Sequence, residues 1–205
     1  FLSTITLKNR LVISKLKLKE VIVENNSILK KQDIKNLLNP IYGENLLLIK
    51  NNDIKTALMQ NDFIESFQMK KKYPNTLKIK INEKKPIAIL INKKKKYYLS
   101  EKIDLIKFRN IKKYGDLPYI FGNINDFEVL YNNLKTINFP FEIISRYTFY
   151  ETRRWDLETI NKKIIKLPVK NYNRSLISYL EIKNKNDFTK YKVFDYRLEN
   201  QLILK

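Results

Sequence analysis

Residues 67–83, Phe67-Gln68-Met69-Lys70-Lys71-Lys72-Tyr73-Pro74-Asn75-Thr76-Leu77-Lys78-Ile79-Lys80-Ile81-Asn82-Glu83, decide the fold. Phe67, Met69, Lys71 and Tyr73 share one face of an alternating run, and Leu77, Ile79 and Ile81 alternate with Lys78, Lys80 and Asn82 in a second. Tyr73-Pro74-Asn75 is the connection, because Pro fixes φ and Asn tolerates a tight turn. Working back, Val21 and Val23 alternate with Ile22 and Glu24 in a short β-branched strand that ends at Asn25-Asn26. Ile34, Leu37, Leu38 and Ile41 then follow the spacing of an amphipathic helix, with Pro40 and Gly43 marking its exit. A second short helix is expected from Asn51 as N-cap, with Asp53 in its first turn and Ile54, Ala57 and Leu58 on its buried stripe. The order β-α-α-β-β in roughly 65 residues fits two helices on one face of a three-stranded sheet.

Working forward, Pro86–Asn92 is another apolar run, and Lys93–Lys96 reads as an exposed hairpin tip. Beyond it the chain reads mostly as strand, at Tyr97–Ser100, Ile143–Tyr150, Arg154–Ile160, Ile164–Leu167, Tyr191–Leu198 and Gln201–Leu204. Two helices interrupt these strands. Asp126–Ile137 carries Phe127, Leu130, Tyr131 and Leu134 on one face, and Asn173–Ile182 carries Leu176, Ile177 and Leu180. The expectation is therefore an α+β chain with a membrane-proximal segment at 1–18, a first domain at 19–92 and a β-rich domain with two helices at 93–205.

Composition excludes much chemistry. The 205 residues include no Cys and no His, so disulfides, thiolate or imidazole catalysis and the usual N/S zinc sites are out. Three glycines, Gly43, Gly115 and Gly122, are too scattered for a phosphate-binding loop. Carboxylates remain the only familiar acid/base groups, and the reading is of a protein without enzyme activity or cofactor. The net charge of +20 would suit nucleic acid or an anionic membrane surface. Yet Lys heavily outnumbers Arg, and Lys, Ile and Asn make up about two-fifths of the chain, a bias that an A/T-rich genome produces whatever the protein does. Specific nucleic-acid readers favour Arg for its planar fork, so a solvated Lys coat is the plainer account. Tyrosines and phenylalanines interleave with lysines, but at strand and helix periods that bury them, unlike an open stacking platform.

No stretch approaches the roughly 20 apolar residues that span a bilayer. Phe1-Leu2-Ser3-Thr4-Ile5 opens without Met and could be the tail of a removed hydrophobic segment. Trp155 is expected in a core, Arg153 and Arg154 to pair with carboxylates such as Glu151 or Asp156, and Glu83 to act as a hydrogen-bond acceptor at a strand end. The stretch Val193–Leu204 is apolar at alternate positions and ends the chain; a terminal strand is readily left at a sheet edge, where unpaired backbone groups invite another strand.

The first domain resembles a POTRA domain, and the whole chain resembles the extracytoplasmic part of the FtsQ/DivIB cell-division family. The resemblance is carried by Glu20-Val21-Ile22-Val23-Glu24-Asn25-Asn26, Asn45-Leu46-Leu47-Leu48-Ile49, the Pro74-Asn75-Thr76-Leu77 element, and Glu83-Lys84-Lys85-Pro86-Ile87-Ala88 with Lys84 for Arg. Further on it is carried by Leu117-Pro118-Tyr119-Ile120-Phe121-Gly122, Arg153-Arg154-Trp155-Asp156-Leu157, Lys166-Leu167-Pro168 and Val193-Phe194-Asp195-Tyr196-Arg197-Leu198. Departures concern glycine: the family has Gly where Asn25 stands and prefers it near Ile103 and Lys162. Asn suits left-handed geometry, but a β-branched residue there is costly, so the turns at Ile103 and Lys162 are expected to be rebuilt.

The resemblance implies a non-enzymatic divisome assembly protein without cofactor, with its bulk in the periplasm at the division septum. A single helix N-terminal to this chain would hold it in the bacterial inner membrane. Implied partners are the periplasmic parts of FtsB and FtsL and other divisome proteins, and not nucleic acid. FtsB would add a β-strand at the C-terminal edge, with Arg197, Leu198, Asn200, Leu202 and Ile203 as contact residues and Arg197 meeting an acidic group. A POTRA-bearing protein of another envelope system and a basic nucleic-acid-binding protein are the alternatives.

Overall fold

The computed structural model describes residues 16–198 and 200–205. The membrane-proximal reading of residues 1–15 lies outside them. The chain divides into two compact units, 1–85 and 86–205.

In the first unit, β1 (Glu20–Glu24), α1 (Lys31–Leu37), a 3-10 turn (Asn39–Ile41), α2 (Asn51–Leu58), β2 (Ile64–Lys72) and β3 (Thr76–Glu83) follow in the expected order. The sheet runs β1-β3-β2, with β1 parallel to β3 and β2 antiparallel to it. Leu77, Ile79 and Ile81 from the central strand are fully buried, as are Ile34, Leu38, Ile54 and Leu58 of the helical segments. Apolar alternation on one strand face and 3.6-residue spacing on the helices thus build one core. The first helix is shorter than its pattern suggested: Leu38 leaves helical geometry before Pro40, and Ile41 is buried from the 3-10 turn. The second begins one residue early, with Lys50 as N-cap, whose N–H donates to Asp53 Oδ2 at 2.8 Å.

Glu83 fixes the loop after β1. Its carboxylate accepts from Ser27 N (2.9 Å), Ser27 Oγ (2.8 Å), Ile28 N (2.7 Å) and Leu29 N (2.8 Å). The acidic residue at the strand end is an acceptor for a nest of backbone N–H groups.

The second unit is a nine-stranded sheet, ordered β12-β11-β10-β9-β8-β7-β4-β5-β6. Its strands are β4 (Pro86–Asn92), β5 (Lys95–Ser100), β6 (Leu105–Lys107), β7 (Tyr119–Phe121), β8 (Ile144–Phe149), β9 (Trp155–Thr159), β10 (Ile164–Lys166), β11 (Val193–Asp195) and β12 (Ile203–Leu204). Pro86–Asn92, assigned to the first domain by the sequence reading, pairs instead with β5 and β7 in this sheet, which moves the boundary to 85/86. Helix α3 (Ile124–Thr136) connects the parallel neighbours β7 and β8, while α4 (Tyr172–Ile182) and α5 (Asn186–Thr189) connect β10 and β11. Asn123 caps α3, its side chain accepting from Asp126 N at 2.9 Å. Phe127, Leu130, Tyr131 and Leu134 are buried as expected, but on α4 the buried pair is Leu176 and Tyr179, while Ile177 is exposed.

Only Lys93 and Lys94 form the tip of the tetralysine hairpin, both at positive φ; Lys95 and Lys96 already belong to β5. The turns at Ile103 and Lys162 are not rebuilt. Ile103 sits at φ 65° and Lys162 at φ 61°, beside Asn25 at 62°. Both are held by one pattern: Ile103 N donates to Ser100 O and Ser100 N to Asp104 O, as Lys162 N donates to Thr159 O and Thr159 N to Lys163 O. Arg153, at φ 59°, repeats it with Tyr150 and Arg154. A three-residue hairpin loop that closes on a left-handed residue is required by the strand register, so the left-handed cost is borne rather than avoided. Ile103 offsets part of it by packing against the core.

Candidate partner-binding edge

The end of the chain forms one margin of the large sheet. Val193–Leu204 is not one long strand: β11 pairs parallel to β10 for three residues, the chain turns through Asn200 at φ 58°, and β12 returns antiparallel. The register places Phe194 opposite Leu204 and Asp195 opposite Ile203. Val193 and Lys205 exchange both backbone hydrogen bonds, at 2.9 and 3.1 Å. Antiparallel alternation therefore turns the N–H and C=O of Leu204, and those of Leu202 two residues before, away from β11 towards the open edge.

A charged row supports this margin from within. Asp156 on β9, Lys166 on β10 and Asp195 on β11 are consecutive cross-strand neighbours, so they share one face. Arg154 pairs with Asp156, and Arg197 grips Asp195 through Nε (2.8 Å to Oδ1) and Nη2 (2.6 Å to Oδ2). The motifs Arg-Arg-Trp-Asp and Asp-x-Arg, some forty positions apart, thus meet as two Arg–Asp pairs flanking one lysine. The hydrogen bond from Arg197 holds the Asp195 carboxyl below the usual carboxylate range. Burial raises Asp156, against the opposing pull of Arg154 and Lys166. Arg153 lies exposed in the hairpin loop, and Trp155 is core, its ring 4.9 Å from Phe149 and 6.2 Å from Phe127.

Arg197, Leu198, Asn200, Leu202 and Ile203 all fall on this margin and in the turn leading to it. Leu198 and Ile203 are exposed, while Leu202 is half-buried and packs against the core. Leu198, Asn200 and Leu202, with Tyr196 and with Arg174, Ser175 and Ser178 of α4, line a depression of about 260 Å³. The sequence reading missed the contribution of α4 and the outward backbone of Leu204. The break read between Leu198 and Gln201 falls at the left-handed turn through Asn200. Among the described residues no cluster of acidic side chains could hold a metal ion, and no helix is long and apolar enough to cross a membrane.

The three-stranded β-α-α-β-β unit is a POTRA domain: residues 16–84 match the family model of the POTRA domain, FtsQ-type. The likeness extends past that unit. The chain is 28% identical over 189 residues to the cell division protein FtsQ of Rickettsia conorii, covering 90% of this chain and 70% of the relative. The figures are the same for FtsQ of Rickettsia bellii, and 26% over 190 residues for that of Rickettsia typhi. Over nine tenths of its length the chain is thus similar to these FtsQ proteins, and the FtsQ-type POTRA match falls on its first unit.

Proposed function

We propose that the chain is a non-enzymatic assembly protein of the cell-division machinery, acting at the septum, and that its C-terminal edge receives a β-strand from a partner. The cell-division role rests on the relatives, which are named for it. The partner implied by the resemblance is FtsB, beside its coiled coil with FtsL, with the bulk of the protein in the periplasm and a preceding helix in the inner membrane. One observation carries the docking mode: β12 is the last strand of the sheet and directs the backbone groups of Leu204 outward. Main-chain bonds there would give affinity, and Ile203 and Leu198 the apolar contact that selects a sequence. Arg197 keeps Nη1 free of Asp195, so a partner carboxylate can be met without breaking the internal pair.

The test is titration calorimetry of the whole chain with a soluble FtsB–FtsL fragment from the same organism, in low and high salt. Salt-tolerant binding that weakens at least about tenfold in Ile203→Glu, and not in Leu47→Glu of the first unit, supports the reading. Equal binding by wild type and Ile203→Glu refutes it.

A further inference from the structure

The second unit holds a cavity of about 510 Å³ that shares no lining residue with the C-terminal edge. That volume is in the range of roughly 300–1,000 Å³ typical of ligand sites. Its wall is aromatic. Phe127 and Tyr131 of α3 stack at 5.8 Å, Phe141 lies 4.9 Å from Tyr131, and Tyr147 of β8 meets Phe127 edge-on at 5.3 Å.

Two features set this cavity apart from a packing defect. Tyr147 is 1% exposed and Tyr131 6%, and neither hydroxyl has a hydrogen-bond partner among the described residues. Neither hydroxyl is sealed from solvent, so both stand open at the cavity wall as hydrogen-bonding groups that an occupant can engage. Burial, and then the nearby Tyr131, push the Tyr147 hydroxyl far above its ordinary range, keeping it a neutral donor. The second feature is the mouth. Glu101, Asp116 and Glu142 surround it, exposed and in no ion pair among the described residues. In a chain with 41 Lys+Arg against 21 Asp+Glu, three carboxylates left without a cation at one opening run against the composition.

We propose that this cavity is a second docking site, for a partner segment that inserts a bulky aromatic side chain and sets flanking Lys or Arg residues against Glu101, Asp116 and Glu142. The aromatic wall takes the ring by edge-to-face contact and tolerates a cation beside it, the two phenols bind the segment's backbone carbonyls, and the rim selects positive charge. The site is independent of the strand edge, and so is its test.

The probe is the blocked tetrapeptide Lys-Phe-Phe-Lys, titrated into the whole 15N-labelled chain and compared with Glu-Phe-Phe-Glu and Lys-Ala-Ala-Lys. Lys-Phe-Phe-Lys is expected to shift the amides of Ala88, Tyr131 and Tyr147 and to bind at least about fivefold more tightly than either control. The double variant Glu101→Lys with Glu142→Lys, exposed at both positions, is expected to lose that preference while keeping the spectrum of a folded chain. Tyr147→Phe, which keeps the ring, is expected to weaken binding without changing the charge preference. Shifts that map elsewhere, equal binding of Lys-Ala-Ala-Lys, or a preference for Lys-Phe-Phe-Lys that survives charge reversal would overturn the proposal.

Discussion

Replacing Gly122 by alanine should destabilise the second unit. A Cβ built there would lie 2.8 Å from Phe149 Cβ and 3.2 Å from the Trp155 ring. Carbon atoms rest at about 3.5–4.0 Å, so both contacts are repulsive. Phe149 Cβ cannot swing away, because it is fixed to the backbone of β8, and β8 is registered against β7 through Phe121 and Thr148. Relief requires the two strands to shift or the Trp155 ring to leave its place among Phe127 and Phe149. Overpacking of this kind costs about 1–3 kcal/mol. Reduced freedom of the unfolded chain returns roughly 0.4–1 kcal/mol, leaving a net loss near 1–2 kcal/mol. Gly115→Ala is the control, since its Cβ would meet only the Lys112 carbonyl at 3.5 Å, an ordinary contact. Trp155 is the lone tryptophan and sits beside Gly122, so urea unfolding followed by its fluorescence reads this unit directly. A Gly122→Ala midpoint equal to that of wild type would refute the reasoning.

Other expectations follow from the same contacts. Glu83→Ala leaves the N–H groups of Ser27, Ile28 and Leu29 without their acceptor and should cost about 2–3 kcal/mol in denaturant unfolding, with Glu83→Gln losing less. Asp195→Asn should cost about 1–2 kcal/mol near neutral pH, discounted for the half-exposed Arg197. The folded-state pKa of Asp195 is depressed, so its contribution is present above the unfolded value of about 3.9 and is lost as pH falls through the folded one. The gap between wild type and Asp195→Asn should therefore close on acidification. Asp156 is shifted the other way, so its carboxylate form disfavours folding, and Asp156→Asn should cost less than Asp195→Asn at pH 7. Lys162→Gly should gain about 0.5 kcal/mol by relieving left-handed strain, read as a raised thermal midpoint, whereas an unchanged or lowered midpoint contradicts that account.

Strong periodicity made the first unit legible. Leu77, Ile79 and Ile81 alternate against Lys78 and Lys80, so face and strand are given together, and Tyr73-Pro74-Asn75 separates them. The second unit was legible at its longer strands, at helices that carry a full stripe, and at the short β10 and β11, which lie inside the longer runs Ile164–Leu167 and Tyr191–Leu198. Leu105–Lys107 and Tyr119–Phe121 escaped, because three residues cannot display a period. Pro86–Asn92 was read as a strand but given to the wrong unit, since an apolar run states burial and not its partners. At Ile103 the propensity argument failed because hairpin register outweighs a local left-handed cost of about 1–2 kcal/mol. The candidate edge was legible in its residues and not in its geometry. Tyr191–Leu198 and Gln201–Leu204 read as separate strands, but their pattern does not say that the turn at Asn200 folds the second back antiparallel to the first and leaves Arg197 gripping Asp195.

The central claim, strand addition at β12, is tested most directly by amide hydrogen exchange with and without the soluble FtsB–FtsL fragment. Leu202 and Leu204 direct their N–H groups away from β11, whereas those of Ile203 and Lys205 point towards it. Added partner should slow exchange at Leu202 and Leu204 sharply and at their inward neighbours much less. Bound partner that leaves Leu202 and Leu204 exchanging as in the free chain, with new protection on β2 of the POTRA domain instead, would contradict the account.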